Sequence, residues 1–213
     1  MLHFHIITLF PESIEAYLSA SILGRAREKK LIKISYYDPK KFAIGKHRRV
    51  DQRPYGGGPG MILEPTAVLK AADKALRGKR NVTKLFFSTD GEVLTEQMAK
   101  QLSKKKDILL ISGRYEGVDA RVQKILKAKK ISVGPYVLTG GELPAATLID
   151  AVSRFVPGVL GKAESLEASR VSSPEVYTRP EVLKWKGKNH KVPKVLLSGH
   201  RAKIEEWKTR RKK

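Results

Sequence analysis

The chain of 213 residues contains no cysteine. Disulfide bonds and thiolate metal sites are therefore excluded. Long hydrophobic runs are also missing, because the apolar stretch from Leu2 to Phe10 is too short for a membrane span and ends at Pro11. The same stretch lacks the charged start and the small-residue cleavage site of a signal peptide. We therefore expect a cytoplasmic protein that makes no use of a membrane.

Acidic residues are scarce relative to basic ones. The sequence has 43 lysines and arginines against 21 aspartates and glutamates, which gives a formal net charge of +22. Such an excess attracts polyanions, of which nucleic acid is the commonest in a cytoplasm. A solubilising lysine surface is the alternative explanation. We assign the run formed by Lys46, His47, Arg48 and Arg49 to phosphate contact, because it adjoins a glycine-rich loop.

That loop runs from Lys46 to Met61 and contains three consecutive glycines, Gly56–Gly58, with arginines close by in the sequence. Its backbone N–H groups and arginines suit an anion. The loop has neither the Gly-Lys-Ser/Thr ending of a nucleoside triphosphate site nor the spacing of a dinucleotide fingerprint. It fits better as a segment that contacts RNA backbone, or as a lid that becomes ordered when substrate binds.

Apolar patterning predicts alternating strands and helices. The predicted strands are Leu2–Leu9, Ile32–Tyr37, Lys84–Ser88, Ile108–Ser112 and Ile131–Val133, and the predicted helices are Pro11 to about Lys29, Pro65–Leu76, Leu94–Leu102 and Leu143–Phe155. This order is typical of an α/β fold with a mainly parallel sheet and helices on both faces. In such folds, ligands bind beyond the carboxyl ends of the strands.

The composition of the sequence changes after Gly161. Residues 162–176 have few large apolar groups and are predicted to form a linker between a main domain, 1–161, and a short basic domain, 177–213. The last segment contains helix-like pieces, including His200 to Arg210, and is predicted to be helical. Its short length leaves little core of its own.

Two glycine-dense segments follow predicted strands. They are Gly113–Gly117 and Ser132–Pro144. Glycine allows the backbone to approach a bound molecule closely and to adopt a positive φ. Either segment alone is consistent with an ordinary tight turn. The pair, together with the glycines at 56–58, indicates two backbone loops that meet around one ligand.

Several ordered motifs carry a resemblance to a known family. They are Leu9–Glu12, His47–Asp51, Arg53–Met61, Gly113–Gly117, Gly134–Pro144, Leu148–Asp150, Pro157–Gly161 and Tyr177–Glu181. From the first residues to about Trp207, the chain resembles the bacterial tRNA (guanine-37-N1)-methyltransferases. These belong to the knotted (SPOUT) superfamily of S-adenosylmethionine-dependent RNA methyltransferases. The resemblance implies a trefoil knot at the carboxyl end of the sheet, a homodimer with an active site shared between subunits, and methylation of N1 of guanosine 37 in tRNA.

The resemblance also implies which residues form the site. The positions expected to hold S-adenosylmethionine are Phe86, Phe87, Ser88, Gly113, Tyr115, Glu116, Gly117, Ser132, Val133, Gly134, Tyr136, Val137, Leu138, Gly140, Gly141 and Pro144. For Glu116, a buried structural carboxylate is the alternative. Arg154 matches the family's catalytic arginine, and phosphate contacts are expected from Arg53, Arg179, Arg201 and Lys208. Magnesium is expected as an auxiliary ion only because the family resemblance implies it. No ligand cluster in the sequence identifies a metal site.

The chain departs from the family where the catalytic base is expected. Guanine N1 carries a proton at neutral pH, so its methylation requires a base, which the family supplies as an aspartate in the linker. The stretch Glu164–Arg170 contains no aspartate. Glu167 is the best substitute and Glu164 a poorer one. The alternative is that both are exposed linker carboxylates and that activity is weak or lost.

Two further differences from the family are Phe86, where relatives often have tyrosine, and Thr89, where they often have proline.

Three hypotheses follow. In the first, the protein is an active homodimeric methyltransferase. In the second, it is a non-catalytic RNA-binding relative that keeps the methyl-donor pocket without a competent base. The third and weaker hypothesis keeps catalysis but moves the target to another RNA position.

Overall fold

A computed structural model describes residues 1–43, 49–160 and 175–210, without the side chain of Arg210. The chain divides into two compact units, Met1–Gly161 and Lys162–Lys213. The predicted linker lies almost entirely outside the described residues. Within the described ranges, no helix has the length and apolar character needed to cross a membrane.

The first unit is built on a five-stranded sheet in which every neighbouring pair is parallel. Its strands are β1 (Leu2–Ile7), β2 (Ile32–Tyr37), β5 (Thr83–Val93), β6 (Asp107–Ile111) and β7 (Lys129–Ser132), in the spatial order β2-β1-β6-β5-β7. Two short strands, β3 (Asp51–Gln52) and β4 (Ile62–Leu63), form a separate antiparallel pair. The predicted α/β class with a mainly parallel sheet is confirmed.

Helices cover both faces of this sheet, as predicted. The helices of the unit are α1 (Glu12–Leu18), α2 (Ser21–Glu28), α3 (Pro65–Leu76), α4 (Glu96–Leu102), α5 (Ala120–Leu126) and α6 (Glu142–Ser153), and a 3₁₀ turn spans Pro39–Phe42. One core cluster packs α1, α2, α4 and α6 on one face, and a second packs α3 and α5 on the other. The short helix α5 was not predicted from the sequence.

The helix predicted from Pro11 to Lys29 is two helices, which corrects that expectation. The Ser19 hydroxyl donates to the carbonyl of Glu15 at 2.8 Å, so a side chain takes up an acceptor at the end of α1. Ala20 is extended and Ser21 has a φ of 51°, which no continuous α-helix allows. By contrast, α3 begins where predicted, because Pro65 follows Glu64, whose carboxylate accepts from the backbone of Thr66 and Ala67.

Strand β5 is longer than predicted and changes register. Phe87 and Glu92 both lie opposite Ile131 of β7, so the four residues 88–91 are additional to the ladder. Gly91 makes this arrangement possible, because a Cβ there would lie 2.5 Å from the backbone nitrogen of Ile131. The extra residues lie near the carboxyl end of the sheet.

The second unit contains a β-hairpin that was not predicted. Strands β8 (Val182–Trp185) and β9 (Lys188–Lys191) pair antiparallel, and the helices α7 (Lys194–Leu197) and α8 (Arg201–Arg210) follow. The turn between the strands consists of Lys186 and Gly187, which both have positive φ. Such a turn matches the twist of a hairpin. The prediction of helical pieces therefore described only the carboxyl-terminal half of this segment.

Candidate functional site

The two glycine-dense segments meet at the carboxyl end of the sheet. The backbone N–H of Gly141 donates to the carbonyl of Gly113 at 2.8 Å, and Arg114 forms an isolated antiparallel bridge with Gly140. A Cβ at Gly141 would lie 2.5 Å from the Cα of Ser112. Only glycine permits this approach, so its presence at 141 determines how closely the two loops pack.

A cavity of about 500 Å³ lies between these loops. All of the residues predicted to hold the methyl donor line this cavity. They are Phe86–Ser88, Gly113, Tyr115–Gly117, Ser132–Gly134, Tyr136–Leu138, Gly140–Gly141 and Pro144. Cavities of this volume are typical of small-molecule sites. The structure thus brings together residues that are up to 58 positions apart, Phe86 and Pro144 being the outermost of the set.

The walls of the cavity combine backbone groups with exposed apolar side chains. Val137 is 84% exposed and Leu138 is 38% exposed, although both are large aliphatic residues. Gly117, with a φ of 119°, also lines the cavity, and a Cβ there would meet no atom within 4 Å. The cavity therefore offers open backbone and apolar contacts, which suit the base and sugar of a nucleoside better than a highly charged ligand.

A buried ion pair holds the first loop against the start of α6. Glu142 is only 2% exposed, and its Oε2 lies 2.8 Å from the Nε of Arg114. Its other oxygen, Oε1, accepts from the hydroxyl of Thr8 at 2.7 Å. The Arg114 guanidinium also lies 4.7 Å from the ring centre of Phe10, within the range of a cation–π contact. These contacts join the end of β1, the loop after β6 and the first turn of α6.

Glu116 is exposed, so the alternative that it is a buried structural carboxylate is wrong. It lines the cavity, and its backbone N–H donates to the carbonyl of Met61 at 2.9 Å. A Cβ at Gly60 would lie 2.6 Å from the Cγ of Glu116. The buried carboxylate at this end of the sheet is Glu142 instead. The contacts of Glu116 with Gly60 and Met61 hold the end of the glycine-rich loop beside the cavity.

Several residues that line the cavity were not predicted. They are Thr89, Val118, Ala120, Gln123, Lys124, Lys130 and Ile131. Ala120, Gln123 and Lys124 belong to α5, which is too short to give a clear helical pattern. Lys130 forms an ion pair with Asp90 at 2.6 Å. Hydrogen bonds from Lys130 and from Ser88 hold the pKa of the Asp90 carboxyl below its usual value. No local sequence signal indicated this pair, because it depends on the register shift in β5.

Arg154 does not line this cavity. It follows the last turn of α6 and lines a neighbouring, mostly apolar cavity together with Tyr17, Leu143 and Asp150. The Tyr17 hydroxyl donates to the Asp150 carboxylate, and this hydrogen bond is the main cause of a raised Tyr17 pKa. Among the described residues that line this second cavity, Asp150 is the only carboxylate, and it is already engaged.

The predicted RNA contacts are only partly within the described ranges. Lys46, His47 and Arg48 lie outside them, as does the candidate base Glu167. Arg49, Arg53, Arg179 and Arg201 are exposed and Lys208 is half-buried. Their exposure is compatible with phosphate contact and equally with a solvated basic surface.

One cluster of potential metal ligands was missed. Among the described residues, His3, His5 and Asp107 place their ligand atoms within 4.8 Å of one another. The His-x-His spacing at the start of a predicted strand was the available signal, since alternate residues of a strand share a face. Asp107 is distant in sequence and could not have been added from the pattern.

Comparisons with known proteins agree with the geometry. The family model described as tRNA (Guanine-1)-methyltransferase TrmD matches residues 2–213. A tRNA (guanine-N(1)-)-methyltransferase of Clostridioides difficile (strain 630) is 41% identical over 97% of this chain and 90% of its own length. A relative with the same name from Pseudoalteromonas atlantica is 42% identical over 96% of this chain and 78% of its own length. Another, from Thermomicrobium roseum, is 43% identical over 97% of this chain and 77% of its own length.

Proposed function

The chain belongs to the tRNA (guanine-1)-methyltransferase family, and we propose that it transfers a methyl group from S-adenosylmethionine to N1 of a guanine in tRNA, at guanosine 37 beside the anticodon. The observation that supports this most directly is the cavity between the two glycine loops. Its lining residues come from three separate segments of the chain and include all of those that the family resemblance assigns to the methyl donor.

The residues present fit this donor. The cavity has the volume of a small-molecule site, and a Cβ at Gly117 would extend into open space rather than into protein. Backbone N–H and C=O groups of the loops can pair with the edge of an adenine, while Tyr136 and Leu138 offer apolar contact. S-adenosylmethionine supplies, when bound, a methyl group activated by a sulfonium.

We assign the handling of the guanine to Glu167 and Arg154. The N1–H bond must break, and its proton passes to the carboxylate of Glu167. Negative charge then spreads toward guanine O6, where the guanidinium of Arg154 stabilises it. As the bond from N1 to the methyl carbon forms, the bond from sulfur to that carbon breaks. S-adenosylhomocysteine and the methylated tRNA leave, and the proton on Glu167 passes to solvent.

Three further features belong to the proposal. The loops after β6 and β7 form a trefoil knot, the sheet unit acts as the donor-binding domain, and the short basic unit at the carboxyl end contacts tRNA. The contact between Gly113 and Gly141 supports the first, because the loop after the edge strand β7 must pass the end of β5 to reach the loop after β6. The net charge of +22 supports the role of tRNA as substrate.

We propose that the active site is completed by a second copy of the chain. Arg154 lines an open apolar cavity in which Leu143 is 58% exposed and Tyr17 is 53% exposed. Exposed apolar surface beside a catalytic cation is typical of a surface covered by a partner. In this arrangement, Glu167 of one subunit works with Arg154 of the other.

The deciding experiment measures methyl transfer to tRNA transcripts that carry guanosine at positions 36 and 37, with 1-methylguanosine at 37 as the matched substrate control because its N1 is already blocked. The parent, Glu167→Gln and Glu164→Gln are compared, and donor binding is measured separately by calorimetry. We expect Glu167→Gln to bind the donor normally and to lose transfer, whereas Glu164→Gln retains it.

Three outcomes contradict the proposal in different ways. Donor binding by the parent without transfer to any tRNA favours the non-catalytic relative, for which the absence of aspartate between residues 161 and 174 is the supporting observation. Transfer that does not depend on guanosine 37 indicates another RNA position. Failure of the parent to bind the donor rejects the assignment of the cavity.

A further inference from the structure

Three potential metal ligands meet at the end of the sheet opposite the donor cavity. His3 and His5 lie two residues apart on β1, so their side chains share one face of the sheet. Asp107 begins the neighbouring strand β6 and lies opposite His3 in the register. His5 is fully buried, Asp107 is nearly so, and the side chain of His3 is 15% exposed. All three ligand atoms lie within 4.8 Å of one another.

Hydroxyl groups of β2 orient both imidazole rings. The Nε2 of His3 lies 2.8 Å from the Oγ of Ser35, and the Nδ1 of His5 lies 3.1 Å from the hydroxyl oxygen of Tyr37. The other nitrogen of each ring faces Asp107 Oδ1, at 3.8 Å for His3 Nδ1 and 2.8 Å for His5 Nε2. In protein metal sites, an outer hydrogen bond of this kind fixes the ring so that the inner nitrogen points at the metal.

We propose that His3, His5 and Asp107 form a site for a divalent transition-metal ion of the zinc class. Two imidazoles and one carboxylate are a common ligand set for Zn²⁺, and the absence of cysteine leaves nitrogen and oxygen as the donors. Bond lengths of about 2.0–2.2 Å in a tetrahedron separate neighbouring ligand atoms by roughly 3.3 Å. The observed separations of 2.8 and 3.8 Å lie on either side of that value.

The chemistry of binding follows from the same contacts. Without metal, a proton is shared between His5 Nε2 and Asp107 Oδ1. Metal binding at Nε2 moves the single imidazole proton of His5 to Nδ1, which then donates it to the Tyr37 oxygen. The exposed edge of His3 admits a water molecule as the fourth ligand.

Nearby charges set the strength of this site. Lys33 and Lys79 lie close enough to both histidines to act on them electrostatically, so their positive charge opposes a bound cation. Asp107 supplies the negative charge that faces it. We therefore expect Lys79→Gln to bind the metal more tightly than the parent. Because the ligands come from β1 and β6 and their supports from β2, metal binding should stabilise these three strands together.

The test uses the full-length, untagged protein after removal of metals with a chelator. Zn²⁺ is titrated in competition with a chromophoric chelator, and Co²⁺ absorption in the visible range reports tetrahedral coordination. We expect the parent to bind one equivalent with a tetrahedral Co²⁺ spectrum and to unfold at a higher temperature when Zn²⁺ is saturating. His3→Gln should abolish all three effects, with its fold checked by circular dichroism.

The matched control is the double variant His190→Gln/His200→Gln, which removes two histidines of the second unit and should keep the site. No stoichiometric Zn²⁺ binding by the parent overturns the proposal and leaves the cluster as a buried polar network. Binding that survives His3→Gln, or that is lost in the double control variant, overturns it equally. Donor binding is unaffected in either case, so this test is independent of the proposed methyl transfer.

Discussion

The Nε of Arg114 lies 2.8 Å from the Oε2 of Glu142, and these two side chains connect the loops that form the donor cavity. Glu142 is buried in the first turn of α6, where the helix dipole favours a negative charge. The pair lies outside the cavity lining, so we interpret it as a support that positions the loops rather than as a ligand-binding group.

Glu142→Gln should weaken donor binding about tenfold and reduce the free energy of unfolding by about 1–3 kcal/mol, because Arg114 is left without its buried partner. Calorimetry and urea denaturation measure the two effects. Glu96→Gln is the matched control, since Glu96 occupies the first turn of α4 but is exposed. Unchanged donor affinity in Glu142→Gln would show that the loops keep their arrangement without the ion pair.

Gly141→Ala should abolish measurable donor binding, since the new Cβ would lie 2.5 Å from the Cα of Ser112 and force the two loops apart. Gly187→Ala is the control, because it introduces a Cβ at a positive φ of 75° in open space. That control should cost about 1 kcal/mol of stability in its own hairpin and leave donor binding intact. Normal donor affinity in Gly141→Ala would contradict the close packing of the loops.

Arg154→Ala should lower kcat for methyl transfer about 100-fold or more while donor affinity stays unchanged, because Arg154 lines the neighbouring cavity and not the donor cavity. Single-turnover methylation and calorimetry give the two quantities. Arg80→Ala, an exposed arginine outside both cavities, should alter neither. A loss of donor binding in Arg154→Ala would move this residue into the donor site.

Arg53→Ala should weaken tRNA binding at low salt and reduce the slope of log K against log salt concentration by about 1, as expected for one lost phosphate contact. Binding is measured by fluorescence anisotropy at several salt concentrations. Lys104→Ala removes the same charge just before β6, at the amino end of the sheet, and should leave the slope unchanged. Equal effects of both variants would indicate a diffuse basic surface without a defined contact at Arg53.

Much of the sheet unit was predictable from the sequence, because its strands are short apolar runs and two of its helices begin at a proline or directly after one. Strand Ile32–Tyr37 and helix Pro65–Leu76 were predicted with the bounds that the structure shows. The break at Ser19–Ser21 was not predictable, since it depends on a side-chain hydrogen bond and one positive φ. The hairpin Val182–Lys191 was missed because charged residues interrupt its strands.

The site was predictable where it consists of glycine loops and not where it depends on tertiary contacts. Glycine patterns and the family resemblance identified the residues of the donor cavity, whose role stays a prediction. Pairs such as Arg114 with Glu142 and His5 with Asp107 join residues that are far apart in the sequence. No local pattern reveals such pairs, because they depend on which strands become neighbours in the sheet.

The four additional residues of β5 place Ser88 and Thr89 at the rim of the donor cavity while Phe87 and Glu92 stay in the ladder. The side chains of Ser88 and Thr89 can therefore change without disturbing strand pairing. Thr89 has a hydroxyl and a backbone N–H, two groups that a proline at this position would lack. A competitive inhibitor extended toward Thr89 would thus gain selectivity over any relative that has proline there.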